Sequence, residues 1–346
     1  MSHPHLLQHY AQQAQTQLPT SIWDYLQSDA GNGRQCMANA QAWQTKKIVP
    51  RPLNPLLNPS TTCQMFDETW AHPIMLAPVA YQTLFHPDGE MATAVACNAQ
   101  LGQMMVSSLA SQPLATIAAQ AQQPLWFQLY WQGNRARTLT LLHKALAAGY
   151  SAVVFTVDAP VKQAVIDLPD HVAAVNLEQP LAAQHLQPGQ SLVFDGWMVQ
   201  APMWEDVQWL RQQLAVPLIL KGIMHVDDAK RAVNLGCDGL VISNHGGRVL
   251  DGTPAVAEVL PAIASAVGSQ CKLIADSGIR SGQDVFKALA LGADAVCVGR
   301  PYVWGLASEG ALGVAKVIRW LRDELEMTMA LTSTSNLQAI QQTHLM

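Results

Sequence analysis

The sequence repeats one pattern eight times across residues 71–330: a short apolar run, then a polar or glycine-containing turn, then a helix-like segment. The runs are Ile74–Pro78, Met104–Ser108, Leu125–Tyr130, Ala152–Asp158, Pro217–Lys221, Gly239–His245, Lys272–Ser277 and Ala295–Arg300. Each run is continuously apolar rather than alternating, which is typical of parallel strands that are covered on both faces. Eight strand–helix units predict an α/β fold that closes into a (β/α)8 TIM barrel.

The length is compatible with one barrel domain over residues 1–346, because such barrels commonly reach about 250 residues or more. Residues 1–70 are interpreted as an N-terminal extension that begins with a helix, and residues 71–330 as the barrel. The connection at 159–216 is too long for a strand-to-helix turn. Loops of this length usually cover a functional site, so we predict a lid that follows the fourth strand.

The amino-acid composition of the chain excludes some classes of protein. Hydrophobic residues make up 49% of the chain and charged residues only 13%, which supplies one large core and is compatible with buried subunit contacts. The net charge is −5 and no run of Lys or Arg occurs, which argues against a nucleic-acid partner. The start of the chain lacks a signal-peptide pattern and no apolar stretch reaches about 18 residues, so we expect a cytoplasmic protein without a membrane span.

The cysteines are widely scattered and form no C-x-x-C pair. We interpret them as reduced, buried thiols rather than disulfides or metal ligands, and we predict no metal site. The six positions are Cys36, Cys63, Cys97, Cys237, Cys271 and Cys297.

Polar side chains collect at the ends of the predicted strands. In a barrel these carboxyl ends form the active-site face, whereas residues in the middle of the strands fill the core. The positions, in chain order, are Ala80, Ser107, Gln128, Tyr130, Thr156, Asp158, Lys221, His245, Arg248, Asp276 and Arg300. So many titratable groups at strand ends predict a catalytic site.

The segment SNHGGRVLD at 243–251 is the most specific motif. His245 ends the sixth strand, and Arg248 follows across two glycines that let the backbone bend near a ligand. Histidine is a natural general base at neutral pH, and a guanidinium can bind a carboxylate through two hydrogen bonds. The alternative is a structural histidine beside a surface arginine, but the coincidence of base, cation and glycines favours a functional role.

Asp158 and Lys221 have less specific contexts. A carboxylate facing His245 would stabilise the imidazolium, although an aspartate after an apolar run is as often a helix cap. A buried Lys221 needs an anionic partner, and either a flavin ring or a pyridoxal phosphate Schiff base would explain it. The pyridoxal reading lacks the other parts of such a site.

A phosphate site is predicted after the seventh and eighth strands. The segments DSGIRSGQD at 276–284 and GRP at 299–301 combine glycines with Arg280 and Arg300, at the place where barrels often bind phosphate. No G-x-G-x-x-G follows a strand, so a mononucleotide such as FMN fits better than a dinucleotide.

With these residues, the chain resembles the FMN-dependent 2-hydroxy-acid dehydrogenases and oxidases, the family of glycolate oxidase, lactate oxidase and mandelate dehydrogenase. The resemblance runs from LPTSIWDY at 18–25 to TMAL at 328–331. Its strongest pieces are APVA (77–80), QLY (128–130), TVD (156–158), LILKG (218–222), SNHGGRVLD (243–251), DSGIRSGQDVFKALALGAD (276–294) and VGRP (298–301).

The resemblance implies roles for individual residues. His245 acts as the base, supported by Asp158, and Tyr25, Tyr130 and Arg248 address the substrate. Lys221 stabilises the reduced ring of FMN, and Ala80 lies against its N5 atom. The remaining cofactor-binding positions it implies are Pro78, Val79, Ser107, Gln128, Thr156, Ser243, Asp276, Gly278, Arg280, Gly299 and Arg300. It also implies a homo-oligomer, namely a tetramer, and a small-molecule substrate.

One departure concerns the substrate. The family usually carries a second carboxylate-binding arginine a few residues after TVD, whereas the matching position here falls at or near Val165. Losing a charge-assisted hydrogen bond of about 1.5–3 kcal/mol weakens binding roughly ten- to a hundredfold. Lys162 or His171 could take the place of this arginine, but lysine cannot reproduce the bidentate geometry. We therefore expect a substrate other than a small acid such as glycolate.

Three functions remain open at this point. The first is oxidation of a 2-hydroxy acid with altered specificity; the second is oxidation of a non-acid substrate, such as an amine or a modified-peptide carbon, in a biosynthetic pathway. The third is a non-catalytic FMN-binding paralogue, which the four residues His245, Asp158, Lys221 and Arg248 argue against. Trp197, Trp204 and Trp209 form either an aromatic substrate pocket or ordinary packing.

Overall fold

A computed structural model describes residues 6–160, 166–178 and 186–346. All eight predicted strands form in it, and they close into one parallel barrel in which each strand pairs with the next and the last pairs with the first. The predicted (β/α)8 fold is confirmed.

The ten strands of the described chain comprise a two-stranded hairpin and the barrel. The hairpin is β1 (Cys63–Met65) and β2 (Glu68–Trp70). The barrel is β3 (Ile74–Leu76), β4 (Gln103–Ser107), β5 (Trp126–Leu129), β6 (Ala152–Thr156), β7 (Leu218–Ile223), β8 (Gly239–Ile242), β9 (Lys272–Ala275) and β10 (Ala295–Val298). Barrel strands are buried almost throughout, which explains their continuous apolar sequences.

Eleven α-helices accompany these strands in the described residues. They are α1 (Leu6–Gln17), α2 (Thr20–Gln27), α3 (Gln35–Thr45), α4 (Gly89–Ala99), α5 (Leu114–Ala118), α6 (Arg135–Ala147), α7 (Trp204–Gln212), α8 (Val226–Asn234), α9 (Val256–Val267), α10 (Gly282–Ala290) and α11 (Arg300–Thr332). Helix α11 is broken at Glu309 and Gly310, whose backbone angles are not helical.

The helices start and stop where local chemistry dictates. Asn134 caps α6 by accepting a hydrogen bond from the Arg137 amide, and Ser281 caps α10 through the Asp284 amide. Helices α6, α8 and α10 each end shortly before a glycine with positive φ, namely Gly149, Gly236 and Gly292.

The region predicted as a lid is shorter than expected. Within 159–216 the segment Trp204–Gln212 forms α7, the helix of the fourth strand–helix unit. The described part of the connection before it contains a π-helical turn at Leu192–Trp197 and a 3-10 turn at Met198–Gln200. The predicted loop therefore ends at residue 203.

Helices α1 and α3 of the N-terminal extension both pack on the barrel. Helix α1 lies against α11, where the Tyr10 hydroxyl donates to the Glu309 carboxylate at 3.0 Å. Helix α3 reaches the loops after β8 and β9. The Asn39 amide donates to Asn244 Oδ1 at 2.9 Å, and the Trp43 indole N–H donates to the Ser277 carbonyl at 2.9 Å. The extension thereby braces the ends of two strands that carry predicted site residues.

The hairpin β1–β2 was not predicted, since its strands are only three residues long. It packs near the amino ends of the barrel strands, where Phe66 and Trp70 contact Trp126 with ring centroids 5.6 and 5.1 Å apart. Glu68 accepts a hydrogen bond from Ser151 just before β6. The hairpin thus covers the mouth of the barrel opposite the predicted site.

The cysteines are unpaired; five are buried and Cys36 is partly exposed. Burial raises the pKa of the Cys63 thiol to about 12, which keeps it protonated. Within the described ranges, no cluster of three or more His, Cys, Asp or Glu side chains is arranged to hold a metal ion. None of the described helices is long and apolar enough to cross a membrane.

Candidate active site

A cavity of about 670 Å³ opens at the carboxyl ends of the barrel strands. All but three of the predicted site residues line it. Those on its wall are Tyr25, Pro78, Val79, Ala80, Ser107, Tyr130, Thr156, Lys221, His245, Arg248, Asp276, Gly278, Arg280, Gly299 and Arg300. Asp158, Gln128 and Ser243 lie behind the wall and hydrogen-bond to residues on it.

His245 and Asp158 form the central pair. The Nδ1 atom of His245 lies 2.9 Å from Oδ1 of Asp158, and its Nε2 atom lies 3.4 Å from the Tyr130 hydroxyl. Burial raises the pKa of Asp158, but the charge of His245 and the hydrogen bond from it outweigh burial and hold that pKa below its usual range. Asp158 is therefore ionised at neutral pH and can stabilise a protonated imidazole.

The backbone at His245 is strained and braced. Its φ of +58° lies in the left-handed region, which a residue with a side chain rarely adopts. The His245 amide donates to Ser243 Oγ at 3.0 Å, and the Gly246 amide donates to Ser277 Oγ at 3.0 Å. Asn244 and Asn39 exchange two side-chain hydrogen bonds. Such strain, held by surrounding contacts, is characteristic of functional loops.

Lys221 is buried beside Asp276. Its Nζ atom lies 3.1 Å from Asp276 Oδ2 and donates to Ser243 Oγ at 2.9 Å. Burial lowers the pKa of Lys221, but the charges of Asp276 and Asp158 raise it above its usual range overall. The Lys221 ammonium therefore stays charged at the cavity wall, where it can face an anionic or electron-rich ligand.

Ser107, Gln128 and Thr156 lie at the ends of the neighbouring strands β4, β5 and β6. Hydrogen bonds join these three side chains into a row, here called the polar line. The Gln128 amide donates to Thr156 Oγ1 at 2.9 Å and accepts from Ser107 Oγ at 3.2 Å. All three side chains are buried. Because they satisfy one another, the orientation of Gln128 is fixed before any ligand enters.

Arg248 lies at the edge of the cavity against the N-terminal extension. Its Nη1 atom donates to the carbonyls of Tyr25 and Leu26 at 2.9 and 3.1 Å, and its guanidinium lies 5.1 Å from the centroid of the Tyr25 ring. Burial and the charge of Arg300 lower the pKa of Arg248. The charge of Arg300 therefore reaches Arg248, and an anion beside Arg248 is favoured.

The sequence predicts that the charge of Arg300 holds phosphate, but in the structure its guanidinium is bonded to other protein groups. Its guanidinium donates to the carbonyls of Leu26, Gly246 and Ser28 at 2.9–3.0 Å and pairs with Asp29 at 3.4 Å. Its side chain therefore ties the N-terminal extension to the barrel. The amino end of α11, which begins at Arg300, also lies at the cavity, and the helix dipole favours an anion there.

Gly278 has a packing reason for being glycine. Its φ is +92°, and a Cβ atom there would lie 2.6 Å from the carbonyl carbon of Asn39 in α3. Beside it, the Arg280 guanidinium lies 5.4 Å from the centroid of the Trp304 ring. Gly278, Gly299 and Arg280 all line the cavity, and glycine backbone beside a cation suits a phosphate.

These features fit FMN. The cavity volume lies within the range of about 300–1,000 Å³ that is usual for cofactor sites. The α11 amino end and Arg280 suit the phosphate, and the polar line at Gln128 suits the ring edge. The buried ammonium of Lys221 suits the electron-rich side of the ring.

The connection between β6 and α7, which was predicted as a lid, and the loop after β5 supply apolar walls. Leu192 and Trp197 of the lid line the cavity, whereas Trp204 and Trp209 do not. Trp131 also lines it, and its ring packs edge-on against Trp209 at 6.3 Å. Sequence reasoning missed Trp131, although its position directly after the QLY motif could have indicated it.

Two more site residues were missed. Ser277 links Asp276 to the His245 loop, because its hydroxyl donates to Asp276 Oδ1 at 2.6 Å and accepts from the Gly246 amide. Gly222 follows Lys221, and its absent side chain leaves room for Asp158. Ser277 lies in DSGIRSGQD (276–284) and Gly222 in LILKG (218–222), but only their neighbours in space reveal their roles.

The position predicted to have lost an arginine, Val165, lies outside the described residues, as does Lys162. His171 is described, and it is exposed and not part of the cavity wall. The expectation that His171 could replace the arginine is therefore not supported by this arrangement.

Comparison with known proteins gives consistent matches over almost the entire chain. A family model described as FMN-dependent dehydrogenase matches residues 14–346. The chain is 43% identical to L-lactate oxidase of Alicycliphilus denitrificans, covering 91% of this chain and 89% of that protein. It is 41% identical to 4-hydroxymandelate oxidase of Amycolatopsis orientalis, covering 93% and 92%.

Solved structures agree with the sequence matches. The fold is similar to a crystal structure of mandelate oxidase with (S)-4-hydroxymandelic acid, with a TM-score of 0.89 and 39% identity over 98% of both chains. It is also similar to a mandelate oxidase structure with (S)-2-phenylpropionate, with a TM-score of 0.88 and 38% identity over 98% of this chain and 97% of the other.

Proposed function

Because the chain belongs to the family of FMN-dependent dehydrogenases, we propose that it uses His245 as the base in the oxidation of 2-hydroxy acids larger than glycolate. FMN-dependent oxidation of a 2-hydroxy acid is the reaction of its relatives and of this protein. The observation that carries the assignment of the base is the contact of 2.9 Å between His245 and Asp158 beside the cavity.

FMN, when bound, accepts the two electrons that leave the substrate C2 atom. We assign its phosphate to the amides at Gly278 and Gly299 and to Arg280. We assign its ring to the polar side chains of Ser107 and Gln128 and to the ammonium of Lys221. Lys221 is suited to this position because Asp276 keeps it charged although it is buried.

His245 receives the proton that the substrate loses. Its Nε2 atom faces the Tyr130 hydroxyl, and its Nδ1 atom faces the ionised Asp158. When the ring becomes positively charged, Asp158 balances that charge within hydrogen-bonding distance. Tyr130, whose pKa is raised by burial and by the charge of Asp158, stays protonated and can donate to a substrate oxygen.

Arg248 binds the substrate carboxylate in this proposal. Only its Nη1 atom hydrogen-bonds to the described residues, namely to backbone carbonyls near Tyr25, which leaves its Nε and Nη2 donors for a ligand. The nearby charge of Arg300 makes an anion favourable at this place. A carboxylate held here lies on the same cavity wall as the base.

The preference for a larger acid rests on charge and shape together. The sequence lacks the second arginine that the family usually places near Val165, so part of the affinity for a small acid is missing. Trp131, Trp197 and Leu192 give the cavity an apolar wall that a bulky side chain can cover. Burying such a side chain contributes about 1.5–3 kcal/mol, which offsets the missing charge.

Further features follow from the relatives. The two relatives compared above carry names of oxidases, so we propose molecular oxygen as the electron acceptor. We also propose a homotetramer, as the resemblance to the family implies, and the low content of charged residues is compatible with extensive subunit contacts.

The test is anaerobic mixing of the FMN-loaded protein with glycolate, L-lactate and (S)-mandelate, followed through the visible flavin absorbance. We expect (S)-mandelate to reduce the flavin with at least about tenfold higher apparent second-order rate constant than glycolate. The variant Val165→Arg should raise the apparent second-order rate constant for glycolate by about ten- to a hundredfold. Equal rates for glycolate and mandelate in the unaltered protein would refute the preference for size.

A second candidate substrate is an uncharged analogue of these acids. One solved relative is a mandelate oxidase variant in which leucine replaces an arginine, with 2-hydroxy-phenylacetamide, whose amide stands in place of the carboxylate. The missing arginine near Val165 makes the comparison pertinent. This amide of mandelic acid, mandelamide, belongs in the same panel of substrates. Faster reduction of the flavin by mandelamide than by mandelate would favour this candidate.

A further inference from the structure

We propose that Gly222, at the end of β7, is a positioning residue that keeps Asp158 paired with His245. The inference deepens the proposed function and rests on it for the role of His245 as base. It concerns a residue that touches neither the substrate nor the cofactor in our assignment and acts only through Asp158.

Asp158 and His245 come from two barrel strands that are not neighbours, so their side chains meet across the strand between them. Asp158 follows β6 and His245 follows β8, and β7 lies between these two strands in the barrel. Neighbouring strands lie about 4.8 Å apart, so the backbones of β6 and β8 are separated by roughly 10 Å. The contact of 2.9 Å between the two side chains therefore passes over the end of β7.

Gly222 leaves the necessary space. A Cβ atom built on it would lie 2.4 Å from Cβ, 2.5 Å from Cγ and 2.8 Å from Oδ2 of Asp158. Carbon atoms in proteins do not approach this closely without displacement, so any side chain at 222 would have to move the carboxylate. The φ of Gly222 is +106°, a conformation that itself favours glycine.

A β-bulge places Gly222 there. Lys221 pairs with Val241 and Ile223 pairs with Ile242, so Gly222 is an extra residue without a partner on β8. Bulges next to active sites commonly redirect a neighbouring side chain. Here the bulge directly follows Lys221, whose ammonium reaches Asp276, and it brings the bare Cα of Gly222 beneath Asp158.

Packing matters for Asp158 because its hydrogen bonding is incomplete. Its Oδ2 atom is buried and has no hydrogen-bond partner among the described residues. Besides the bond from His245 to Oδ1, the close fit over Gly222 limits rotation of the carboxylate. A methyl group at 222 would therefore turn or displace the carboxylate and lengthen its contact with His245.

The direct test compares Gly222→Ala with Gly149→Ala. Gly149 precedes β6 at the opposite end of the barrel, has a φ of +87°, and has nothing within 4 Å of its would-be Cβ atom. The control therefore carries similar backbone strain without the clash. In Gly222→Ala we expect retained FMN and a flavin-reduction rate at saturating (S)-mandelate or L-lactate that is lower by about 10- to 100-fold.

The half-saturating acid concentration should stay within about threefold in Gly222→Ala, since Arg248 is untouched. Gly149→Ala should lose stability but reduce its flavin at the normal rate. Equal, undiminished reduction in both variants overturns the proposal. A rise in the half-saturating concentration with an unchanged maximal rate overturns it as well.

A readout that needs no substrate separates this inference from the proposed function. A histidine N–H bonded to a carboxylate gives a far-downfield proton resonance, which we expect in the FMN-loaded protein and in Gly149→Ala. It should vanish in Asp158→Asn and in Gly222→Ala. Its persistence in Gly222→Ala, or its absence from the unaltered protein, refutes the positioning role. The expected resonance pattern without flavin reduction by any acid refutes the proposed function alone.

A double variant guards against simple misfolding of Gly222→Ala. Replacing Asp158 by Gly removes the atoms with which a methyl group at 222 would clash. If Gly222 acts only through Asp158, then Asp158→Gly/Gly222→Ala should reduce its flavin as slowly as Asp158→Gly alone, within about threefold. A further tenfold loss in the double variant would contradict the proposal.

Discussion

Replacing Asp158 by asparagine should slow flavin reduction by about 30- to 1,000-fold at saturating substrate. The two groups are 2.9 Å apart, and their side chains are only 13% and 21% exposed for Asp158 and His245 respectively. Opposite unit charges about 4 Å apart attract by roughly 4 kcal/mol at an effective dielectric constant of 20. Asparagine keeps the shape and one hydrogen bond but removes the charge.

The retained hydrogen bond and partial solvent access leave about 2–4 kcal/mol of lost stabilisation once the imidazole is protonated. Since each 1.36 kcal/mol is a factor of ten in rate, this range corresponds to about 30- to 1,000-fold. The effect should fall on the maximal rate of reduction, because Asp158 contacts His245 rather than the substrate carboxylate.

The assay is anaerobic stopped-flow absorbance of the FMN-loaded variant, with the flavin content measured beforehand. Thermal unfolding of the same preparation checks that the barrel remains intact. A maximal reduction rate within threefold of the unaltered protein would show that the charge of Asp158 does not assist proton removal, and the assigned role of the pair would then be wrong.

Three other outcomes follow from named contacts. Arg248→Lys should raise the half-saturating concentration of a 2-hydroxy acid about tenfold or more, with little change in the maximal rate, because lysine lacks the planar fork; steady-state kinetics test this. Lys221→Met should lower the free energy of unfolding, measured with urea, by about 3–5 kcal/mol because it leaves buried Asp276 without its cation. Adding Asp276→Asn should restore part of that free energy. Burial and the charge of Arg322 lower the pKa of His72 to about 4, so its neutral ring contributes stability above about pH 6.5 that is lost as the pH falls through 4. The loss should be about 3 kcal/mol and should be absent from His72→Gln, measured by urea unfolding across that pH range.

Much of the site could be predicted because a barrel brings strand ends together. A polar residue that ends an apolar run must project at the carboxyl face, wherever it falls in the chain. This logic placed His245, Asp158 and Lys221 around one cavity before their distances were known. The helix ends were equally accessible, since caps and glycines are local features.

Other features depend on contacts between distant segments. The guanidinium of Arg300 is taken up by carbonyls of residues 26–28 and by Asp29, and no local pattern encodes that approach. The importance of Gly222 becomes visible only when Asp158 is seen to cross β7. Both residues lie in motifs of the sequence, VGRP (298–301) and LILKG (218–222), yet their neighbours in space determine what they do.

The length of the lid was overestimated for a different reason. Trp204–Gln212 carries two acidic residues in its first turn and Arg211 in its last, which is a readable helix pattern. It follows a long stretch with scattered Pro, Gly, Gln and Trp, and that context concealed it. The local charges should have ended the predicted loop at residue 203.

The central claim is that His245, held by Asp158, removes the proton of a 2-hydroxy acid in an FMN-binding barrel. Anaerobic mixing of (S)-mandelate with the unaltered protein and with His245→Ala tests it most directly. We expect the visible flavin absorbance to bleach in the unaltered protein, and to persist in a His245→Ala variant that still binds FMN. Normal bleaching in the variant would contradict the assigned base.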